Sequence, residues 1–277
     1  MKFVWQLLTV VAVSAAGGQG LAAAADNPYL QLTLGGATAV LAVFLYGWVV
    51  RRTEHRPAAE VSREGAASAF GRGLLIGAAM FTAVIVNLLT SGYYDVDGLG
   101  SPKGALGLFG FMAAAAVTEE LLYRGVLFRW VEKLTGTYLA LVLTGLLFGA
   151  SHLLNPHASL LGAAAIAIEA GFMLTAAYVA TRRLWVAIGI HFGWNFAASG
   201  VFSTEVSGND TPQGLLDSAT SGPRLLTGGD FGPEASVYSV LFGVLVTIAF
   251  MWLAHRRGYV VPPRRADRAA AAPTLVR

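Results

Sequence analysis

The feature that most limits the fold of this chain is a series of long apolar runs. A bilayer core about 30 Å thick needs roughly 20 apolar residues when the chain is helical. Runs of about that length recur along most of the 277 residues. Hydrophobic residues make up 55% of the chain and charged residues only 13%, whereas a soluble domain carries about 25% charged residues. The sequence therefore predicts an integral membrane protein.

Each apolar run is predicted to be a transmembrane helix, because a helix satisfies its own backbone hydrogen bonds inside lipid. Strand-like alternation of polar and apolar residues is absent. We therefore expect an all-α, polytopic bundle of seven or eight hydrophobic helices. The predicted spans are residues 29–50, 73–91, 104–131, 138–154, 158–181, 184–203 and 235–254.

The N-terminal residues 1–25 have the features of a secretory signal peptide. Lys2 provides the positive start, an apolar stretch follows, and the alanines at 22–24 offer a small-residue cleavage site. The alternative is an uncleaved first span, which raises the number of helices to eight. The bundle is expected to cover residues 26–257, with its functional core at about 104–200.

The basic residues lie in alternate connections between the predicted spans, which places them on one side of the membrane. They include Arg51, Arg52, Arg56, Arg63, Arg72, Arg129, Lys133, Arg182 and Arg183. By the positive-inside rule this side is cytoplasmic, and the C-terminus is cytoplasmic with it. Residues 258–277 are expected to form a basic, disordered tail that faces anionic lipid and not nucleic acid. We expect the plasma membrane of a bacterium.

Few polar residues that can do chemistry fall inside the predicted spans. The chain has no cysteine, which excludes disulfides, thiolate metal ligands and a cysteine nucleophile. The acidic residues and histidines within spans are Glu119, Glu120, Glu169, His152 and His191. Because a charged group is costly inside a bilayer, each is a candidate for function.

Glu119 and Glu120 are adjacent on one predicted helix but face different directions. Glu120 and Arg124 are four residues apart, so they share a helix face and are expected to form a structural ion pair. Glu119 has no such local partner, and we interpret it as a candidate general base. The alternative is that both glutamates face a wet cavity and are paired with arginines.

Two further spans carry the remaining polar candidates. His152 ends one span, and His191 and Asn195 share a face of another, where a pair of donors could stabilise an oxyanion. Hydrogen bonding between helices is the alternative for these residues. Glu169 lies in the middle of a span, where it either pairs with a histidine or a backbone group of the site or serves as a packing tether.

Three short motifs contain these residues in a fixed order. Glu-Glu-x-x-x-Arg begins at Glu119, Phe-x-x-x-His ends at His152, and His-x-x-x-Asn begins at His191. In this order, over about residues 104–200, the chain resembles the CAAX-protease and bacteriocin-processing (CPBP, or Abi) family of intramembrane proteases. The resemblance implies that Glu119 and His152 activate water, that His191 and Asn195 hold the oxyanion, and that the ion pair described above keeps the site in shape.

The resemblance also implies what the protein binds. The family is often labelled a metalloprotease, but the chain lacks the His-Glu-x-x-His arrangement that is usual for zinc, so no obligatory metal is expected. The alternative is a divalent metal, zinc, held by Glu119, His152 and His191. The expected partners are the lipid bilayer and a protein or peptide substrate, with or without a lipid anchor; no nucleic acid is expected.

Two other functions remain open at this point. The same polar residues could form a proton or cation relay in a transporter, or the chain could bind a partner protein in the membrane without catalysis. If the chain is a protease, we expect a water-filled cavity that opens toward the basic, cytoplasmic side.

Overall fold

A computed structural model describes residues 1–263, in which eight helical segments are long and apolar enough to cross a membrane. The helices are α1 (Lys2–Ala23), α2 (Pro28–Glu54), α3 (Ala66–Thr90), α4 (Pro102–Glu120), α5 (Arg129–Thr135), α6 (Thr137–Ser151), α7 (Leu160–Ile166), α8 (Met173–Thr181), α9 (Leu184–Asn195), α10 (Arg224–Thr227) and α11 (Val237–Arg256). The polytopic helical bundle is confirmed. The seven predicted spans lie within a few residues of helices, and α1 is the eighth.

Three of the crossings contain a π-helical stretch, in which the turns are wider than in an α-helix. These stretches are Leu121–Phe128, Ala167–Phe172 and Phe196–Val201. The first joins α4 to α5 in one crossing, the second joins α7 to α8, and the third extends α9. Short 3₁₀ turns occupy Ala59–Val61, His152–Leu154, Gly229–Phe231 and Pro233–Ala235.

The eight crossings alternate in direction, so the bundle has two ends. We call the end with residues 24–27, 91–101, 155–159 and 202–236 the acidic face, and the end with residues 55–65, 136, 182–183 and 257–263 the basic face. Side-chain caps start four helices at the acidic face, where Asn27, Ser101, Ser159 and Ser236 accept hydrogen bonds from the first turns of α2, α4, α7 and α11.

Glycines allow α3 and α9 to pack with their backbones in contact. A Cβ at Gly77 would lie 2.1 Å from the Ile190 carbonyl oxygen, and a Cβ at Gly193 would lie 2.3 Å from the Leu74 carbonyl oxygen. Small residues spaced four apart are the usual means of close packing in lipid. Gly189 and Gly193 belong to the same helix as the third motif, so this packing decides how deep and at what rotation that motif sits.

A two-stranded antiparallel sheet lies on the acidic face, in segments that the sequence indicated as loops. Its strands are β1 (Tyr94–Leu99) and β2 (Leu216–Thr220). The Tyr94 hydroxyl also donates to the carbonyl of Phe202 at 2.8 Å. The pairing joins residues about 120 positions apart in the chain, so no local sequence pattern could predict it. It holds the segment 202–220 against the end of α3.

On the basic face, five polar side chains form a buried group that we call the basic-face cluster: Gln6, Tyr46, Glu54, Glu60 and Arg129. Gln6 donates to Glu54 at 2.8 Å and accepts from Arg129 at 2.8 Å, while Arg129 Nη1 lies 2.6 Å from Glu54 Oε1. The Tyr46 hydroxyl donates to Glu60 at 2.6 Å. Through Gln6, the cluster ties α1 to α2 and α5.

The segment after α11 returns to the same face. Thr137 N donates to the Val261 carbonyl at 2.9 Å, and Val261 N donates to the Thr137 hydroxyl at 2.8 Å. Val261 therefore ties this segment to the start of α6. The remainder of the predicted tail, 264–277, lies outside the described residues.

Candidate active site

Four of the candidate residues lie at or next to the π-helical stretches. Glu119 and Glu120 directly precede the first stretch, Glu169 lies within the second, and Asn195 directly precedes the third. A widened turn breaks the regular α-helical pairing and redirects side chains, and such turns occur frequently at functional sites. These four candidates thus sit where their helices depart from regular α-helical geometry, and His152 begins a 3₁₀ turn at the end of α6.

Arg124 is the hub of the site and is almost completely buried, at 1% exposure. Its Nη1 donates to Glu120 Oε1 at 2.7 Å, so the expected ion pair is present. Its Nε donates to the Thr175 hydroxyl at 3.2 Å, and its Nη2 donates to the carbonyls of Ala170 and Gly171 at 2.9 and 3.0 Å. One guanidinium therefore joins the first motif to the second π-helical stretch.

Glu120 also binds the third motif. Its Oε1 accepts a hydrogen bond from His191 Nδ1 at 2.9 Å. A carboxylate accepts hydrogen bonds, so Nδ1 carries the proton and Nε2 is directed away from Glu120. His191 Nε2 lies 3.9 Å from Glu119 Oε2. The opposite charges of Glu120 and Arg124 offset each other, which lowers the cost of burying them.

His152 sits at the end of α6 and has a defined ring orientation. Its Nδ1 is 2.7 Å from the Phe148 carbonyl oxygen, which can only accept, so Nδ1 carries the proton and Nε2 of the neutral ring keeps its lone pair. The Phe148 ring lies 4.9 Å from the His152 ring and 6.1 Å from the His191 ring, centroid to centroid. Phe148 thus spaces the two histidines.

One cavity of about 380 Å³ brings the candidates together. Glu119, His152, His191 and Asn195 all line it. The Glu119 side chain keeps 32% of its surface exposed there, whereas Glu120 is fully buried. The four residues to which the resemblance assigns catalytic roles therefore share one solvent-accessible space.

The cavity opens at the acidic face. Its outer wall contains Asn155, Ser207, Asn209 and Thr211, all in segments of that face. The expectation that it opens toward the basic side is wrong. The reason is the chain direction: α6 and α9 both start at the basic face, and their polar residues come near their far ends.

Glu169 is buried beside this cavity without the partner that was expected. Within residues 1–263, neither of its carboxylate oxygens has a hydrogen-bond partner. It lines a small cavity of about 10 Å³ together with His152, Asn195 and Glu234. That volume is about the room for a single water molecule. Pairing of Glu169 with a histidine or with the backbone is not observed.

Glu234 is a site residue that the sequence did not single out. Its carboxylate accepts from Trp194 Nε1 at 2.8 Å, from the Ser207 hydroxyl at 3.0 Å and from the Ser207 backbone N–H. Burial raises the pKa of Glu234, and the hydrogen bonds from Trp194 and Ser207 act against this rise. The residue stands in a Gly/Pro-rich loop of acidic residues. In the sequence, only its position directly before a predicted span distinguishes Glu234 from the other acidic residues of that loop.

The three residues of the alternative metal site do not form a complete ligand set in this structure. Within residues 1–263, no group of three or more His, Cys, Asp or Glu side chains has the spacing needed to hold a metal ion. Two of the three residues, His191 and Glu119, have Nε2 and Oε2 3.9 Å apart. Glu120 binds His191 Nδ1, as a carboxylate commonly does behind a metal-binding histidine. A divalent metal therefore stays an alternative prediction.

The fold and the site define a class of protein: a polytopic helical bundle with a polar, Glu- and His-lined cavity between its spans. Residues 101–197 match the family model of the Rce1-like type II CAAX prenyl endopeptidases. This match confirms the resemblance drawn from the three motifs, over the segment that contains them. No curated protein and no solved structure matches the chain significantly.

Proposed function

We propose that this protein is an intramembrane endopeptidase that hydrolyses a peptide bond of a membrane-associated protein or peptide, using water activated by Glu119 and His152. The observation that carries the proposal is the convergence of these two residues with His191 and Asn195 on one cavity. The Rce1-like match supports peptide-bond hydrolysis as the class of reaction.

Glu119 is suited to act as the base. It faces the cavity, and its nearest cationic partner, His191, is 3.9 Å away, so a carboxylate oxygen is free to accept a proton. His152 Nε2 offers a second acceptor at the same cavity. General bases of this kind contribute typically 10²–10⁴-fold to the rate.

The proposed reaction balances without a further reactant. The water oxygen bonds to the scissile carbonyl carbon while one water proton moves to Glu119. The carbonyl oxygen becomes an oxyanion and accepts hydrogen bonds from His191 Nε2–H and from the Asn195 amide. When the intermediate collapses, the C–N bond breaks and Glu119 returns the proton to the leaving amine.

Glu120 and Arg124 prepare this geometry without touching the substrate. Glu120 fixes the His191 ring through Nδ1, and a proton on Nε2 makes that atom a donor when the oxyanion develops. Arg124 holds Glu120 in place from the opposite side.

The test is a comparison of peptide termini in membranes that contain either wild-type protein or Glu119→Gln. Glu64→Gln, an exposed position on the basic face, is the matched control. We expect a set of termini to be lost in Glu119→Gln and kept in the control, with both variants equally folded in a thermal melt. Identical termini in Glu119→Gln and wild type would refute the assigned base.

Two additions to this experiment test the role of Asn195 and the kind of substrate. Asn195→Ala is expected to lower the cleavage rate on the order of a hundredfold, as the loss of one oxyanion donor does. Sorting the cleaved proteins by the presence of a lipid anchor decides whether a lipidated substrate is required. Ion flux in liposomes, with termini unchanged, would favour a transporter instead.

A further inference from the structure

The two ends of the bundle differ strongly in basic residues. On the basic face or within the adjoining helix turns lie Lys2, Arg51, Arg52, Arg56, Arg63, Arg72, Arg129, Lys133, Arg182, Arg183, Arg256 and Arg257. On the acidic face, the basic residues among the described part of the chain are Lys103 and Arg224. Lys and Arg near span ends set the orientation of a membrane protein, and acidic residues contribute little. The basic face is therefore the cytoplasmic one.

The chamber, by which we mean the cavity of about 380 Å³, belongs to the other end. Asn155 lies between α6 and α7, and Ser207, Asn209 and Thr211 follow α9. Within residues 1–263, none of the residues that line the chamber lies in a connection of the basic face. The chamber thus reaches from Glu119 to segments of the acidic face.

Hydrogen bonds join the two segments that form the mouth of the chamber, residues 155–157 and 207–210. Asn155 Nδ2 donates to the Ser207 carbonyl at 2.7 Å, and His157 N donates to the Gly208 carbonyl at 2.9 Å. The His157 ring also lies 2.7 Å from Asp210 Oδ1. The segments that begin at Asn155 and at Ser207 are thus hydrogen-bonded to each other close to His152, and together they form an ordered mouth at the acidic face.

Taken together with the proposed function, on which this inference rests, the geometry points to an active site that opens on the non-cytoplasmic side of the membrane. Its substrates are polypeptide segments presented at that surface: exported peptides, or the extracytoplasmic ends of membrane-anchored proteins. A polypeptide whose lipid-modified terminus is held in the cytoplasmic leaflet meets the basic face of the bundle and not the mouth.

The orientation can be tested independently of catalysis, because the chain contains no cysteine. Asn209→Cys places one thiol at the mouth, Ala219→Cys places one on exposed β2 of the same face, and Ala59→Cys places one on the basic face. Each variant is treated with a membrane-impermeant maleimide, in intact cells and in inverted membrane vesicles.

We expect Asn209→Cys and Ala219→Cys to react in intact cells, and Ala59→Cys to react only in inverted vesicles. Ala219→Cys reports the side of the membrane even where a change at the mouth disturbs folding. Reaction of Ala219→Cys in inverted vesicles alone overturns the inference. Labelling does not depend on turnover, so this result leaves the proposed protease function untouched, and a loss of protease function leaves the orientation untouched.

The comparison of peptide termini gives a second test of the side on which the chamber opens. If the inference holds, the termini that depend on Glu119 lie in segments outside the cytoplasm. Glu119-dependent termini confined to cytoplasmic segments contradict the inference while supporting the proposed function.

Discussion

Two buried groups of charged residues, one at the basic face and one within the spans, have similar composition and different completeness. In the basic-face cluster, Arg129 contacts Gln6 and Glu54, and Glu60 accepts from Tyr46 and from Arg56. The buried atom of this cluster that lacks a hydrogen bond within the described residues, Arg129 Nη1, still lies 2.6 Å from Glu54 Oε1. In the active-site group, Glu120 Oε2 and both oxygens of Glu169 have no hydrogen-bond partner within the described residues.

This difference in hydrogen bonding distinguishes charged residues that stabilise the fold from charged residues that can take part in a reaction. An unpaired buried polar group costs about 1–3 kcal/mol, so a fold retains one only where something else depends on it. The basic-face cluster anchors α1 and the connection to α3. In the active-site group, the unpaired oxygens of Glu169 belong to a residue that lines the small cavity, where a water molecule can bind them.

Arg124→Met should have the largest effect. The change leaves Glu120 without its cation and frees two carbonyls of the second π-helical stretch, and breaking a buried pair costs about 3–5 kcal/mol. Arg129→Met, in the basic-face cluster, should destabilise by a comparable amount. Thermal unfolding in detergent measures both. Per folded molecule, only Arg124→Met should lose cleavage; equal loss in both variants would erase the contrast.

Gly193→Ala should come next. A Cβ at this position would lie 2.3 Å from the Leu74 carbonyl oxygen, and overpacking of this kind costs about 1–3 kcal/mol. Cleavage should fall on the order of a hundredfold, because α9 must shift and carry His191 with it. Gly36→Ala is the control, since nothing lies within 4 Å of its Cβ. Wild-type cleavage rates in Gly193→Ala would show that α3–α9 contact does not position the site.

Glu169→Met and Glu60→Met should change stability in opposite directions. The first removes two unpartnered oxygens and should stabilise the fold by about 1–3 kcal/mol; the second strips partners from Tyr46 and Arg56 and should destabilise it by a similar amount. Chemical unfolding of both variants gives the sign. A destabilised Glu169→Met would mean that Glu169 is a structural tether after all.

The smallest effect concerns pH at the mouth. The hydrogen bond with Asp210 raises the pKa of His157 above its ordinary value of 6.5. The charged pair is therefore complete below pH 6.5 and is lost as the pH rises through the raised pKa. Asp210→Asn should return the His157 titration, followed by NMR, toward its ordinary position. An unchanged titration would remove Asp210 as the cause.

Apolar run length and motif order were sufficient for much of this protein. The sequence alone predicted the helical class, the seven later spans, the Glu120–Arg124 pair and four of the residues that line the chamber. These features are local: run length follows from bilayer thickness, and the pair follows from helical periodicity.

The tertiary structure decided the rest, because it depends on contacts between distant parts of the chain. The binding of Glu120 to His191 joins residues 71 positions apart. The role of Glu234 depends on a loop that turns back to reach Trp194 and Ser207. The side on which the chamber opens depends on which ends of α6 and α9 carry their polar residues once the helices are packed, and periodicity within one helix contains no information about that packing.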